Sequence, residues 1–218
     1  MYEKVKSRSI IGPLSICNIL ALAGLVGPSI FIVTDLTAAI SQPEYSAIRD
    51  SISSLAWSPM GWLQTIGFII VGLLVEVFAA GLFFNIHGGR GFGLGIGLLV
   101  FFGFGLLLIG AFHTDPIGGQ QTIEGLIHSV AAKATFFIFP IASISIAFSL
   151  RKDSRWKGFL LHTAVTSSLA MALVIGHLWL PDELSWFGLY ERILVANTVV
   201  WVAIIAIHCL RLSFGTSE

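Results

Sequence analysis

The chain has 218 residues, 56% of them hydrophobic and only 11% charged, with twelve acids balancing twelve Lys and Arg. Its mean hydropathy of +0.90 reflects more apolar surface than a soluble domain of this length buries, so the surplus faces lipid. Topology accounts for the Lys and Arg residues, which leaves no basic face for nucleic acid, and two cysteines make neither a disulfide framework nor a metal site.

Lys4, Lys6 and Arg8 precede an apolar run from Ile10 to Val33. That run is longer than the roughly 7–15 residues of a signal-peptide core and predicts a retained spanning helix over 12–35, with Pro13 at its start and Pro28 as a kink within it. Five further apolar stretches of about 20 residues or more follow, at 61–86, 91–112, 124–149, 157–180 and 186–210. The expected fold is all-α, a single domain over 1–218 with six transmembrane helices. Arg90, Arg151, Lys152, Arg155, Lys157 and Arg211 fall on the same side as the basic N-terminus. Asp35, Glu44, Asp50, Asp115, Glu124, Asp182, Glu183 and Glu191 fall on the other side or its margin, with only Arg49 and Arg192 among the bases there. The positive-inside rule therefore places both termini in the cytoplasm. A multi-pass protein of a cell membrane, a prokaryotic plasma membrane, is the expectation.

The first external connection, Thr37 to Pro59, is the longest loop and the expected contributor to any site. The third stretch carries Gly91, Gly93, Gly95, Gly97, Gly103, Gly105 and Gly110; small residues four apart, Gly91/Gly95 and Gly93/Gly97, predict close helix packing. They do not form a GxGxxG fingerprint behind a strand, so nucleotide binding is not indicated. Pro140 is expected to kink the fourth helix, and Cys17 and Cys209 read as small buried hydrophobes near the cytoplasmic ends of their spans. Trp57, Trp62, Trp179 and Trp186 at one margin and Trp156 at the other fit an aromatic belt.

Polar groups at the external margin are the candidates for chemistry, because each is costly beside lipid. Phe112-His113-Thr114-Asp115-Pro116 ends the third helix, and Glu124 and His128, four apart, share one face of the fourth, with His128 about 6 Å deep. Asp115, His128 and His113 are candidate ligands for a divalent metal that would activate water. Alternatively Ser53 is a nucleophile with His128 as its base and an aspartate orienting the ring; Ser53, Asp115 and His128 are thus the catalytic candidates. Against both stands a purely architectural role in which these groups cap helices and pair with Arg49 or Arg192. No HExxH or GxSxG motif is present. Arg192 is expected to pair with Asp50 or a lipid phosphate, while Glu191 suits a helix N-terminus. Deeper in the membrane, Glu76 and Lys133 are expected to form an interhelical ion pair, with a proton path as the sharper alternative. His162, Thr163, Thr166, Ser167 and Ser168 read as helix packing, and His87 and His208 as solvated margin residues.

Tyr45-Ser46-Ala47-Ile48-Arg49-Asp50-Ser51-Ile52-Ser53-Ser54-Leu55 and Pro59-Met60-Gly61-Trp62-Leu63-Gln64, with Phe112 to Pro116, His128 and Phe187-Gly188-Leu189-Tyr190-Glu191-Arg192, resemble the blocks of the domain of unknown function 998 family over nearly the whole chain. The resemblance implies a six-helix membrane protein, distantly similar to the Frag/DRAM/Sfk group tied to membrane lipids, and no agreed activity. By match it carries over Tyr45, Asp50, Ser53, Asp115, His128, Glu191 and Arg192. Ser54 stands where members tend to have an acid and His113 where they have proline, which weakens a metal site.

The expected function is to bind an amphiphilic lipid-like ligand in an outer polar pocket of Tyr45, Arg49, Asp50, Asp115, His128, Glu191 and Arg192, with processing of that ligand as its enzymatic version. The alternatives are a non-catalytic scaffold or accessory subunit, a metal-dependent or serine intramembrane hydrolase, and a proton-coupled transporter. Membrane lipids and a protein partner or second copy are the expected partners; no cofactor is identified. The orientation is checked by fusing alkaline phosphatase after Arg211 or at Gln42: activity is expected only from the Gln42 fusion, and the reverse result would invert the topology.

Overall fold

A computed structural model describes residues 16–86, 88–116, 118–180 and 184–215. Lys4, Lys6, Arg8, Pro13, His87, Asp182 and Glu183 lie outside the described residues, as do the side chains of Cys17 and Lys157. Six α-helices, α1 (Ile16–Ile40), α2 (Gly61–Asn85), α3 (Phe92–Ala111), α4 (Ile123–Leu150), α5 (Lys157–His177) and α6 (Phe187–Gly215), account for most of the chain, with no strand among the described residues. Each is long and apolar enough to cross a membrane.

The helices pack as a closed ring: each lies against its sequence neighbours, and α6 returns to α1. Phe78, Leu82, Leu99, Phe139, Ala142 and Trp201 are among the fully covered side chains of its interior, while Leu94, Phe101, Phe104, Val130, Phe148 and Leu161 are exposed on the outside. An apolar exterior of this kind is stable only against hydrocarbon.

Three boundaries differ from the sequence expectation by more than a residue or so. Helix α1 runs to Ile40 rather than 35, and its last turn is finished by Thr37 Oγ1 donating to Val33 O at 2.7 Å and Ser41 N to Thr37 O at 3.2 Å. Pro43 lies just beyond, where the residue before proline resists helical geometry. Asp35 therefore sits inside the helix rather than at its end. Helix α6 extends to Gly215 instead of 210, and α5 ends at His177 rather than 180.

Helix α3 lies between α2 and α4, as its glycines require, but the contact glycines are not the expected four-residue pairs. A Cβ on Gly93 or Gly97 would meet nothing. One on Gly103 would come within 2.8 Å of Glu76 Cγ and 3.0 Å of Gly72 O, and one on Gly95 within 2.9 Å of Ile146 N. The small residues that matter are those facing α2 and α4. This arrangement also separates the two deepest charges. Glu76 packs on Gly103, whereas Lys133 is exposed and lines a cavity toward α5 and α6. The expected Glu76–Lys133 ion pair does not form among the described residues, because α3 occupies the space between their helices.

The polar residues of α5 do act as packing groups. Ser167 Oγ meets Ser143 Oγ of α4 at 2.7 Å, Thr163 Oγ1 accepts from Trp201 Nε1 at 3.0 Å, and Thr166 O accepts from Asn197 Nδ2 at 3.0 Å. At the opposite end from the 41–60 loop, Trp156 is buried against Phe159 and His208 rather than set out in an interfacial belt. His208 is likewise engaged, its Nε2 lying 2.9 Å from Arg155 O.

Adding one methyl at the α2–α3 contact should be costly and adding it on the lipid face should not. Gly103→Ala is expected to lower the thermal midpoint in detergent, by about 1–3 kcal/mol of overpacking, while Gly93→Ala leaves it unchanged or slightly raised.

Candidate functional site

The site begins with the way the 41–60 connection is fastened to α6. Backbone amides at the start of α6 have no helical partner of their own, and two of them donate to the loop: Gly188 N to Arg49 O at 3.2 Å and Leu189 N to Ile48 O at 2.9 Å. The approach is so close that a Cβ on Gly188 would fall 2.1 Å from Asp50 O, so only glycine fits there. One turn on, Glu191 Oε2 accepts from Ile52 N at 2.7 Å. Arg192 Nη1 donates to the carbonyls of Ala47 at 3.0 Å, Asp50 at 3.2 Å and Gly188 at 3.2 Å, and its Nη2 donates to the Tyr45 hydroxyl and lies 3.7 Å from Asp35 Oδ1.

Arg192 thus takes the main-chain carbonyl of Asp50, not its carboxylate as expected. The carboxylate is held by Arg49, at 2.7 Å to Nε and 3.0 Å to Nη2, and by Ser46 N at 2.7 Å. Tyr45 donates to Ser51 O at 3.0 Å. Burial pushes its phenol up to about 12, so the hydroxyl stays protonated and keeps donating at neutral pH. Of the ligand-binding candidates, Tyr45, Arg49, Asp50, Glu191 and Arg192 are therefore brought together, and each is engaged in fastening the loop.

Beside this clamp, Ser53–Trp57 forms a short 3-10 helix that presents Ser53 to α4. His128, 6% exposed, lies with Nε2 at 3.0 Å from Ser53 Oγ and Nδ1 at 2.8 Å from Phe112 O and 3.2 Å from Ile109 O. Carbonyl oxygens only accept, so in the neutral ring the proton is on Nδ1 and the Nε2 lone pair faces the serine hydroxyl. The two carbonyls belong to the C-terminal turn of α3, where helical partners run out. His128 therefore both caps α3 and serves as acceptor for Ser53, and the cap fixes the tautomer that the second role needs.

The other candidates are placed elsewhere. Asp115 accepts from Thr122 N at 3.0 Å and Thr122 Oγ1 at 2.7 Å, while Thr122 in turn caps α4 by accepting from Gly125 N at 3.0 Å. Glu124 Oε1 binds His113, at 2.8 Å to its amide and 2.9 Å to Nδ1, and His113 Nε2 is 3.2 Å from Thr65 Oγ1. The expected metal set of Asp115, His128 and His113 is not assembled: each has a different partner, and the described residues hold no group of three or more His, Cys, Asp or Glu able to hold a metal ion. Nor does Asp115 orient His128; main-chain carbonyls do.

Ser53 lines two cavities, as do Phe68 and Ile109. The larger, about 40 Å³, is lined largely by apolar groups, Phe68, Phe136, Val174 and Leu194 among them, with Lys133 and Glu191 on its wall. The smaller, about 10 Å³, is lined by Gln64, Thr65, His113 and His128. At about 10–15 Å³ per water, these hold roughly three waters and one. Sequence reasoning passed over Gln64, which is 1% exposed and fully within the smaller cavity wall. A primary amide at the fourth position of an apolar span was the available signal.

The Arg49 hydrogen bond, with the Ser46 amide, holds the Asp50 carboxyl below its usual range against a weaker effect of burial. A lowered carboxyl pKa adds stability above the unfolded value of about 3.9, and that contribution is lost as pH falls through the folded value. The thermal midpoint of Asp50→Asn should therefore lie below wild type at pH 6, and the gap should close as pH falls below about 4.

Comparison with curated proteins and with solved structures finds no match. Residues 25–208 match the sequence model of the family described as Protein of unknown function (DUF998), the span that contains all six helices but the first turns of α1 and the end of α6, and the chain belongs to that family.

Proposed function

We propose that this protein binds an amphiphilic molecule carrying an ester or amide at the loop-bearing end of its bundle, and transfers the acyl group through Ser53 with His128 as general base. The charge asymmetry of the connections supports placing that end on the outer side of the membrane. The observation that carries the reading is the 3.0 Å contact between Ser53 Oγ and a His128 Nε2 whose proton is held on the opposite nitrogen. A serine hydroxyl is a weak nucleophile until an adjacent base takes its proton, and a nucleophile, a base and a group that orients the base are the minimum arrangement. Here two carbonyl oxygens stand where a triad has a carboxylate. They fix the ring but stabilise an imidazolium less than a full charge does, which points to a slow transferase or hydrolase.

The cavities accommodate a reacting group rather than a whole lipid, so the chains of the ligand remain in the bilayer. The apolar wall of the larger cavity would take the first carbons of an acyl chain, with Lys133 available to an anionic group. A second reading, a non-catalytic scaffold, is favoured by the engagement of Tyr45, Asp50, Glu191 and Arg192 in internal contacts.

Labelling by an alkyl fluorophosphonate, which reports a nucleophilic serine, separates the two. Wild-type protein in native membranes is expected to label, with Ser53→Ala abolishing the signal and His128→Ala reducing it by at least 100-fold at unchanged amounts of folded protein. Wild-type protein that fails to label, or labelling retained in Ser53→Ala, would assign the pair to architecture and leave the scaffold.

A further inference from the structure

Gln64 is a buried polar side chain, only 1% exposed, neither of whose polar atoms, Nε2 and Oε1, has a hydrogen-bond partner among the described residues. A buried amide with no protein partner is costly unless a water or a ligand group in the adjoining cavity takes that place. Its surroundings are not apolar filler. Gln64 shares the wall of the smaller cavity with Ser53, His128, Thr65 and His113, the only such cavity in which the serine and its base both take part among those described.

Resting on the serine reading above, we infer that Gln64 is a catalytic residue that receives the oxygen of the reacting carbonyl, so that the smaller cavity is the oxyanion chamber of an acyl-transfer site. Ser53 Oγ gives its proton to His128 Nε2 and forms a bond to the carbonyl carbon, and the carbonyl π electrons move to the oxygen, which takes a hydrogen bond from Gln64 Nε2. When the tetrahedral adduct collapses, that oxygen regains its double bond, the bond to the leaving alcohol or amine breaks, and His128 returns the proton to the departing atom. The acyl group is left on Ser53, and water or the hydroxyl of a second amphiphile releases it by the same steps in reverse. In the free protein the chamber has room for one water, which the carbonyl oxygen displaces. The substrate class follows from this geometry. The oxygen goes to the polar chamber, the acyl chain goes toward the larger apolar cavity that Ser53 also lines, and the ligand is a carboxylic ester or amide of a long-chain acid.

A donor with no protein partner in the resting state has a distinctive signature: removing it should cost the fold little or nothing and harm the chemistry. Gln64→Leu and Gln64→Met keep the volume and remove the amide. Both are expected to raise the thermal midpoint in detergent or leave it unchanged, and to slow fluorophosphonate labelling of Ser53 by about 10²–10³-fold, the usual effect of losing one oxyanion donor. With a chromogenic long-chain acyl ester the loss should fall on kcat and leave KM nearly unchanged. A wild-type labelling rate in either folded variant, or a lower midpoint in both, would overturn the role of Gln64. If Ser53→Ala still labels as wild type, the serine reading itself falls, and that result is independent of the Gln64 variants.

Discussion

The attachment of the 41–60 loop to the first turn and a half of α6 is the constraint on which the rest of this site depends. It rests on an unusual concentration of main-chain hydrogen bonding: two helix-start amides, one carboxylate and one guanidinium all address backbone groups of the loop. Main-chain partners fix a loop's path more rigidly than side-chain partners, because the bonded atoms have no rotamers of their own. Glu191 binds the amide of Ile52, one residue before Ser53, so the position of the serine is set by an anchor adjacent to it in sequence.

The opposite half of the site is positioned independently. His128 is placed by α4, whose start is fixed through Asp115 and Thr122, and its ring is turned by the end of α3. The Ser53–His128 contact then joins the elements anchored on α6 to the α3–α4 turn, and Trp57 Nε1, donating to Thr114 O at 3.1 Å, joins them a second time. Rigid elements joined in this way hold reacting groups more reliably than a flexible loop alone.

Much of the fold was legible in the sequence, because hydrophobic runs and loop charges respond to the bilayer itself and not to tertiary detail. The α2 boundaries at Gly61 and Asn85 and the α3 and α4 boundaries fall within a residue or so of their predicted limits. What the pattern could not show was which partner each polar group chooses. Asp35, expected at the margin of the first span, is within α1 and faces Arg192; Glu76 and Lys133, complementary on paper, are separated by α3. Pairing depends on helix rotation, and an all-round apolar helix carries almost no rotational signal. Ser53 and His128 were legible as candidates, but not the main-chain carbonyls that orient the ring, since a backbone acceptor leaves no mark in the sequence. Gln64 was hidden for a related reason: its significance lies in lacking a partner, which only coordinates can reveal.

The distance along the chain between the two halves of the loop clamp has a consequence for biogenesis. Ile52 and Glu191 are 139 residues apart, so at about 5–20 residues per second the ribosome needs on the order of 10–30 s to supply the anchor after the serine has been made. Throughout that interval the loop has nothing on α6 to dock on. The serine and its histidine become aligned only when the last helix inserts, so a truncated or partly inserted chain carries the residues of the site without the site. Assembly of the Ser53–His128 pair is in this way tied to completion of the bundle.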